Sequence, residues 1–201
     1  LLISGRGAGG YACYRLNIAS QTFETLDGIS QQHFGCVDWS DDVWYGISRE
    51  PNEVNYLFKF DASKRITPIT DISVNHVVAL PNGRLIYSSP EEQGIFQFQE
   101  EDGSKVNLVP DYNNSWSVHW AVAGKSLYFA RFKSIELEDG KVLKPGLYRK
   151  DLETLEEVYL SSELPSAIGN TISVHPNQTS ILLAKSDRAV MNLYYAPIEQ
   201  E

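Results

Sequence analysis

Four histidines are the side chains best able to bind a metal ion or to change charge near neutral pH. His33, His76, His119 and His175 fall one in each of four similar stretches of the sequence. Each lies at a different distance from the turn that follows it, so the four imidazoles would sit at different levels along their strands. Zinc and related metals need ligands that converge within about 2–2.3 Å of one ion. The spacing argues against a shared metal site and leaves each histidine as a structural residue or an individual pH-responsive group.

Motifs of the common catalytic sites are missing from the sequence. It contains no Gly-x-Ser-x-Gly elbow, His-Glu-x-x-His, Cys-x-x-Cys or phosphate loop. The glycine-rich stretch Gly5–Gly10 joins two apparent strands, whereas a phosphate-binding loop must open a helix. Acidic pairs such as Asp41-Asp42 and Glu91-Glu92 lie in predicted turns, where solvated charge is the ordinary outcome. We therefore predict no catalytic residue, no metal and no cofactor.

An internal repeat organises the elements that carry these residues. Five segments share one order of residue types, in which a small or apolar residue precedes an aromatic one and polar and apolar residues then alternate. The aromatic residue recurs every 38 to 52 positions. This aromatic column consists of Tyr14, Phe58, Phe96, Tyr148 and Tyr194.

Two alternating strands and a tight turn precede each of the last four aromatic segments, and a further short strand follows each of the first four. The turn residues are Asp41-Asp42, Pro81-Asn82-Gly83, Ala123-Gly124 and Pro176-Asn177-Gln178. Four short antiparallel strands in about 40–45 residues is the pattern of a β-propeller blade. We predict an all-β fold of four-stranded antiparallel blades. A β-sandwich with irregular turns is the alternative, although it gives no reason for the recurring aromatic residue.

Five blade units are expected within one domain, 1–201, and the units at both ends are incomplete. The first lacks its inner strand and the last stops after its third. Because a propeller closes into a ring, we expect a six- or seven-bladed parent, completed by a missing N-terminal part or by a second copy of the chain. The sequence begins in an apparent strand, which indicates a piece of a longer protein. The predicted units are about 1–27, 34–70, 75–110, 116–161 and 170–199.

One unit carries an insertion, Arg131 to Pro145, between its second and third strands. Two alternating arms flank Asp139-Gly140, which is a hairpin signal. The arm is either a contact for a partner or a tolerated surface insertion.

Polar residues that lead into the inner strands are the best candidates for binding a ligand, because those segments ring one mouth of a propeller channel. Their amide, imidazole, indole and carboxylate groups suit a small polar molecule or a peptide. The four tryptophans Trp39, Trp44, Trp116 and Trp120 are expected mainly to pack between blades. The candidate ligand-binding residues are Asp38, Asn75, His76, Asn113, Asn114, Trp116 and Asn170.

Composition limits the partners of this chain. Of its 201 residues 42% are hydrophobic, and the net charge is −9. No run of Lys or Arg offers a surface for phosphates, so nucleic-acid binding by this segment is disfavoured. No apolar stretch reaches the roughly 18 residues of a membrane span. Cys13 and Cys36 are read as small buried hydrophobic residues, with a disulfide between them as the alternative.

Two phrases resemble the Ser-Pro-Asp-Gly-x-x-Ile-x-Phe blades of TolB-like propellers. They are Leu80–Ser88 (LPNGRLIYS) and His175–Leu183 (HPNQTSILL). The degenerate repeats, the acidic balance and the segment Asn192–Pro197 are most similar to the C-terminal propellers of CadC-like regulators. That resemblance implies a bacterial inner-membrane protein with an N-terminal winged-helix DNA-binding domain, one membrane span and a periplasmic sensing domain. It transfers no catalytic residue to this chain. Asp41-Asp42 and Ala123-Gly124 depart from the family's turn.

The leading hypothesis is thus a non-catalytic sensory or protein-interaction propeller on the periplasmic side of the inner membrane, with a cytoplasmic location as the alternative. Membrane attachment would come only from an upstream span, and a homodimer is conceivable. The alternative function is an enzyme of the lactonase or sugar-hydrolase type, with a divalent metal in the channel on Asp38, Asn75, Asn114 and Asn170. A third reading, the propeller of a serine peptidase, would need a hydrolase domain outside this sequence.

Overall fold

The computed structural model describes most of the chain, and every regular element in that part is a β-strand. Within those residues no helix is long and apolar enough to cross a membrane. The prediction of an all-β fold is confirmed. The described residues are 2–7, 10–25, 34–40, 43–48, 57–60, 66–69, 73–113, 118–165, 172–187 and 190–198.

The chain divides into two compact units, Leu1–Pro110 and Asp111–Glu201, and the first contains three antiparallel sheets. The first sheet has three strands, and the second and third have four each in sequential order. The first sheet is formed by β1 (Leu2–Gly7), β2 (Gly10–Asn17) and β3 (Thr22–Thr25). The second sheet is formed by β4 (Phe34–Ser40), β5 (Val43–Ser48), β6 (Leu57–Phe60) and β7 (Ile66–Pro68). The third sheet is formed by β8 (His76–Leu80), β9 (Arg84–Ser88), β10 (Ile95–Gln99) and β11 (Lys105–Asn107).

The second unit contains two larger sheets and a short hairpin. The fourth sheet is formed by β12 (Trp120–Ala123), β13 (Ser126–Arg131), β16 (Gly146–Asp151) and β17 (Glu157–Ser161). Between its second and third strands lies the hairpin of β14 (Ile135–Glu136) and β15 (Val142–Leu143). The fifth sheet is formed by β18 (Ile172–Val174), β19 (Ser180–Asp187) and β20 (Val190–Pro197).

The aromatic column lies on equivalent strands, as the repeat predicts. Its residues fall on β2, β6, β10, β16 and β20. In the four-stranded sheets this is the third strand, which pairs on both sides. The fourth strand of the third sheet was expected at residues 106–109, but the regular strand β11 ends at Asn107. The next two residues, Leu108 and Val109, still form backbone hydrogen bonds with Ile95, so pairing continues past the regular strand.

Tight turns connect the strands where the sequence places them. Asn82 and Gly83 both have positive φ, at 63° and 65°, and with Pro81 they form the three-residue connection between the paired residues Leu80 and Arg84. In the insertion, Gly140 has φ 77° and its N–H donates to the carbonyl of Leu137. The predicted hairpin at Asp139-Gly140 is therefore confirmed. The turn at Asp41-Asp42 lies outside the described residues.

Each unit has its own hydrophobic core. In the first unit Leu57, Leu85, Val77, Tyr45 and Phe96 belong to one buried cluster contributed by the second and third sheets. In the second unit a separate buried cluster joins the fourth and fifth sheets, through residues Ala123, Tyr128, Leu147, Ile181 and Leu183. Trp120 is 1% exposed, which agrees with its predicted packing role. The single domain predicted for residues 1–201 stays a prediction.

The turn between β16 and β17 contains a strained residue that offers a test of this backbone. Leu155 has φ 62° and its side chain is 49% exposed. An L-residue with a side chain loses about 1 kcal/mol in this conformation, whereas glycine adopts it freely. We expect Leu155→Gly to be more stable than the matched control Leu155→Ala by about 1 kcal/mol in urea unfolding. Equal stability of the two variants would contradict the left-handed turn.

Candidate functional site

Asn75 and His76, two of the predicted ligand-binding residues, lie together where the inner strand of the third sheet begins. Asn75 precedes β8, and its backbone N–H donates to the carbonyl of Ser88 at 3.0 Å. The Ser88 hydroxyl donates in turn to Oδ1 of Asn75 at 2.6 Å. His76 stands opposite Ser88 in the strand register. Ser88 and Ser89 are fully buried, so this end of β8 and β9 is a buried polar site held by side-chain and backbone hydrogen bonds.

The surroundings of His76 change its acidity. Burial disfavours the charged imidazolium and lowers the pKa of His76 from 6.5 to about 4. His76 is therefore neutral in the folded chain at physiological pH. The expectation that each histidine could respond near neutral pH is wrong for His76, because desolvation was not visible in the sequence.

The other predicted site residues are not all described. Asn113 lies in the second unit, where it is exposed and follows the buried Tyr112. Asp38 lies in β4 opposite Tyr45, and its side chain is outside the described part. Asn114, Trp116, Asn170 and also His33 fall outside the described residues. The structure thus brings Asn75 and His76 together and leaves the wider channel mouth a prediction.

His119 has a structural environment. It is 3% exposed, and its backbone N–H donates to the Tyr112 hydroxyl at 2.9 Å. Its ring packs edge-on against Phe132 with centroids 4.8 Å apart. Burial raises the pKa of Tyr112 to about 12, although the hydrogen bond from His119 acts in the opposite direction. Tyr112 therefore stays neutral, and its hydroxyl oxygen accepts the backbone N–H of His119 in the segment that leads into β12.

His175 occupies a turn near the start of the fifth sheet. Its ring Nδ1 lies 2.5 Å from Oδ1 of Asn177, and its backbone N–H donates to the carbonyl of Ser180. These contacts agree with the structural role expected for His175. Among the described residues, no group of three or more His, Cys, Asp and Glu side chains is arranged to hold a metal ion. Cys13 lies in β2 and Cys36 in β4, with side chains outside the described part.

Arg131 is the charged residue that the sequence analysis missed. It ends β13, and its side chain is only 5% exposed. Nε and Nη2 bond the carboxylate of Asp111 at 2.5 and 3.0 Å, while Nη1 and Nη2 bond Glu157 at 2.5 and 3.2 Å. The guanidinium carbon also lies 4.4 Å from the ring centre of Tyr148. One buried cation thus joins the start of the second unit to β13, β16 and β17.

The two carboxylates stabilise the charged form of this buried side chain. Burial favours the neutral guanidine, but hydrogen bonds and attraction from Asp111 and Glu157 outweigh it and raise the pKa of Arg131 above its ordinary value. Four N–H groups of Arg131 already bond carboxylates. Arg131, Asp111 and Glu157 therefore form an internal ion-pair network, called the clasp below, rather than a free site for an anion.

Cations also lie over two other members of the aromatic column. Lys105 is 4.4 Å from the ring centre of Phe96, and Lys185 is 5.1 Å from that of Tyr194. Each lysine also bonds a glutamate, Glu92 for Lys105 and Glu163 for Lys185. Arg131 and Lys185 both lie two residues after the residue that pairs with the column aromatic. The same offset gives Ser48 in the second sheet and Ser89 in the third, so sequence position alone could not have identified these cations.

The clasp at Arg131 gives a stability prediction. Removing one partner of a buried ion pair leaves uncompensated charge, so Arg131→Met should lower the free energy of unfolding by about 3 kcal/mol. Arg131→Lys should lose less, because it keeps the charge but not the planar fork. The control Lys125→Met breaks the exposed pair with Glu153 and should lose less than about 1 kcal/mol. Chemical denaturation measures all three, and a loss at Arg131 no larger than at Lys125 would contradict the clasp.

The lowered pKa of His76 gives a pH prediction. The unfolded chain binds a proton at His76 near pH 6.5, and the folded chain binds it only near pH 4. The contribution of His76 to the free energy of unfolding is therefore fully present above pH 6.5 and decreases as the pH falls. The contribution of His76 across that window is on the order of 2–3 kcal/mol. His76→Gln should remove this part of the pH dependence, while His175→Gln, which alters an exposed histidine, serves as the control. Parallel stability profiles for wild type and His76→Gln would refute the assignment.

Comparison with known proteins supports the fold. No protein-family model and no curated protein matches the sequence. Solved structures match it over almost its whole length. TolB from Acinetobacter baumannii matches with a TM-score of 0.70 at 14% identity, over 98% of this chain and 48% of that chain. A chain of the nidogen/laminin complex gives 0.57 at 10% identity, over 92% of this chain and 69% of that chain.

An enzyme is also among the similar structures. Oligogalacturonate lyase in complex with manganese matches with a TM-score of 0.52 at 12% identity, over 92% of this chain and 56% of that chain. The chain spans about half the length of the TolB structure that it resembles. At these identities the likeness concerns the fold alone. Together with the repeated antiparallel sheets, it establishes a TolB-like β-propeller fold.

Proposed function

We propose that this chain is a non-catalytic, sensory or protein-interaction segment of a propeller. The observation that carries the proposal is the hairpin arm, residues 131–145, which is anchored firmly at its base and exposes apolar side chains beyond it. Binding to another protein uses surface of this kind, in which apolar groups are surrounded by polar ones.

The base of the arm is fixed on both sides. Phe132, its second residue, packs against the buried ring of His119, and Arg131 immediately before it is held by the carboxylates of Asp111 and Glu157. At the other end, the Tyr148 hydroxyl donates to the carbonyl of Lys144 at 2.5 Å. An arm anchored in this way loses little conformational entropy when a partner binds.

The outer part of the arm combines apolar and charged groups. Leu137 is 37% exposed and Val142 is 52% exposed. The arm also carries three carboxylates and three exposed lysines, namely Glu136, Glu138, Asp139, Lys133, Lys141 and Lys144. A partner that suits this surface has an apolar patch with charged residues of both signs around it.

The regulator role rests on the resemblance of the degenerate repeats, the acidic balance and the segment Asn192–Pro197 to CadC-like regulators. In that role this chain is the periplasmic sensing part of a bacterial membrane-anchored transcriptional regulator, and nucleic acid is bound by an upstream domain. Among similar structures, the nidogen/laminin complex is an assembly of two proteins, which supports an interaction role for a fold of this type. The complete polypeptide should then contain an upstream winged helix and one membrane span. A signal peptide directly before the propeller would contradict this part of the proposal.

A propeller enzyme with a divalent metal in the channel is the second candidate, favoured by the likeness to a lyase in complex with manganese. Its candidate ligands are Asp38, Asn75, Asn114 and Asn170. Of these, the structure describes the side chain of Asn75, whose Oδ1 already accepts a hydrogen bond from Ser88. It would have to bind a metal through its remaining lone pair.

Site-specific crosslinking distinguishes the two candidates. A photoreactive phenylalanine analogue at Leu137 of the full-length protein should form one discrete covalent adduct in cells. The matched control is the same analogue at Val106, a residue 46% exposed on β11. We expect no comparable adduct there, because Val106 lies far along the sequence from the arm. Equal labelling at both positions, or none at Leu137 together with stoichiometric Mn²⁺ binding and turnover, would overturn the interaction role.

A further inference from the structure

The hairpin arm, residues 131–145, ends in a small sheet that stands apart from the larger ones. In the described part of the chain, β14 and β15 pair with each other and with no further strand. A two-stranded hairpin by itself is marginally stable in water and usually packs against another element. The arm interrupts the fourth sheet, whose four strands are all described, so it is not an unfinished edge of the array.

Strand pairing places three apolar side chains on one face of the arm. Ile135 lies opposite Leu143, and the backbone N–H of Leu137 donates to the carbonyl of Lys141 at 2.8 Å. Because side chains two residues apart on a strand share a face, Leu137 lies on the same face as Ile135 and Leu143. Leu137 is 37% exposed, and the other two are half-buried. These three residues form a stripe along the arm, called the apolar face below.

The two ends of the arm carry opposite charge. Beyond the clasp, the base of the arm carries two exposed lysines, Lys133 and Lys144. The outer half carries three carboxylates and one lysine, all exposed, and is therefore net negative. These residues are Glu136, Glu138, Asp139 and Lys141. The apolar face thus runs from a basic base to an acidic tip.

A surface with this charge pattern is complementary to a copy of itself. In a contact with two-fold symmetry the same patch is used by both copies, so each contact between two different groups occurs twice. When two arms lie antiparallel with their apolar faces together, the acidic tip of each meets the basic base of the other. The apolar stripes then cover each other between the two charged contacts. A parallel arrangement would bring like charges together at both ends.

We propose that the arm is a self-association site, at which two copies of this chain bind through antiparallel apolar faces. Glu138 of each copy pairs with Lys133 of the other, and Leu137 packs between Ile135 and Leu143 of the other copy. The net charge of −9 opposes association at long range, so the attraction is local to the arm. Two short hairpins bury less than the roughly 1,200 Å² of a stable interface, so the association is weak and depends on concentration.

This inference deepens the proposed interaction function, on which it rests, by naming a second copy of the chain as the partner. The photoreactive analogue at Leu137 tests that identity. Its adduct in the full-length protein should have twice the mass of one copy and contain peptides of this chain alone, whereas the analogue at Val106 should give no such adduct. An adduct with a different protein would overturn self-association and keep the interaction role. The absence of any discrete adduct at Leu137 would contradict both.

Reversal of charge at either end of the arm tests the antiparallel arrangement. Glu136→Lys/Glu138→Lys makes both ends basic, and Lys133→Glu/Lys144→Glu makes both ends acidic. Each double variant by itself should raise the dissociation constant about tenfold, because like charges then meet at both contacts. A mixture of the two variants pairs a basic tip with an acidic base and an acidic tip with a basic base. It should associate within about threefold of the wild type.

Sedimentation of fluorescently labelled full-length copies measures these dissociation constants. The control Lys125→Glu reverses an exposed charge in the fourth sheet outside the arm and should change the constant less than about threefold. The variant with a basic tip also makes the chain less acidic. A loss of association in that variant therefore cannot come from stronger long-range repulsion. Restored association in the mixture also shows that both variants are folded.

Three results would overturn the proposal. The first is that the wild-type protein does not associate at any concentration reached. The second is that each double variant associates as strongly as the wild type, which would place the contact outside the arm. The third is that the mixture associates no more strongly than the separate variants. Each of these results leaves the mass of the Leu137 adduct as an independent measure of the interaction role.

Discussion

In each four-stranded sheet the third strand bonds its backbone on both sides, because a buried N–H or C=O without a partner costs more than most side-chain contacts contribute. This strand also carries the column aromatic, whose side chain packs within the same sheet. Phe96, for example, stacks on Tyr87 with ring centres 5.5 Å apart. Where the fourth strand is present, the apolar residue beside the aromatic is buried. Where it is absent from the described residues, at β20, the equivalent leucine is exposed.

Charged side chains connect separate strands inside each unit. In the first unit Glu100 accepts a hydrogen bond from the Tyr45 hydroxyl at 2.5 Å and forms an ion pair with Lys59. These two contacts join the third sheet to the second. In the second unit Arg131 does the same for Asp111 and Glu157. Short sheets bury little area individually, so such directional contacts fix the relative positions of strands that packing alone would leave less well defined.

The hairpin arm of the second unit supports a role in recognition. It offers apolar side chains on an anchored base, with charged groups of both signs beside them. Binding through such a surface depends on side chains whose positions the base of the arm already fixes.

Sequence periodicity was sufficient to identify the fold, because an aromatic residue, an alternating strand and a tight turn are local properties that recur with each blade. It also located the hairpin at Asp139-Gly140 and the three strands that the structure describes in the fifth sheet. Chemistry at the sites depended on contacts between residues far apart in the chain. The low pKa of His76 comes from desolvation, and the clasp of Arg131 joins residues 20 and 26 positions away. The sequence by itself determined the repeating strands, and tertiary structure alone decided which polar and apolar groups they bury or leave exposed, since burial depends on neighbours that local pattern does not specify.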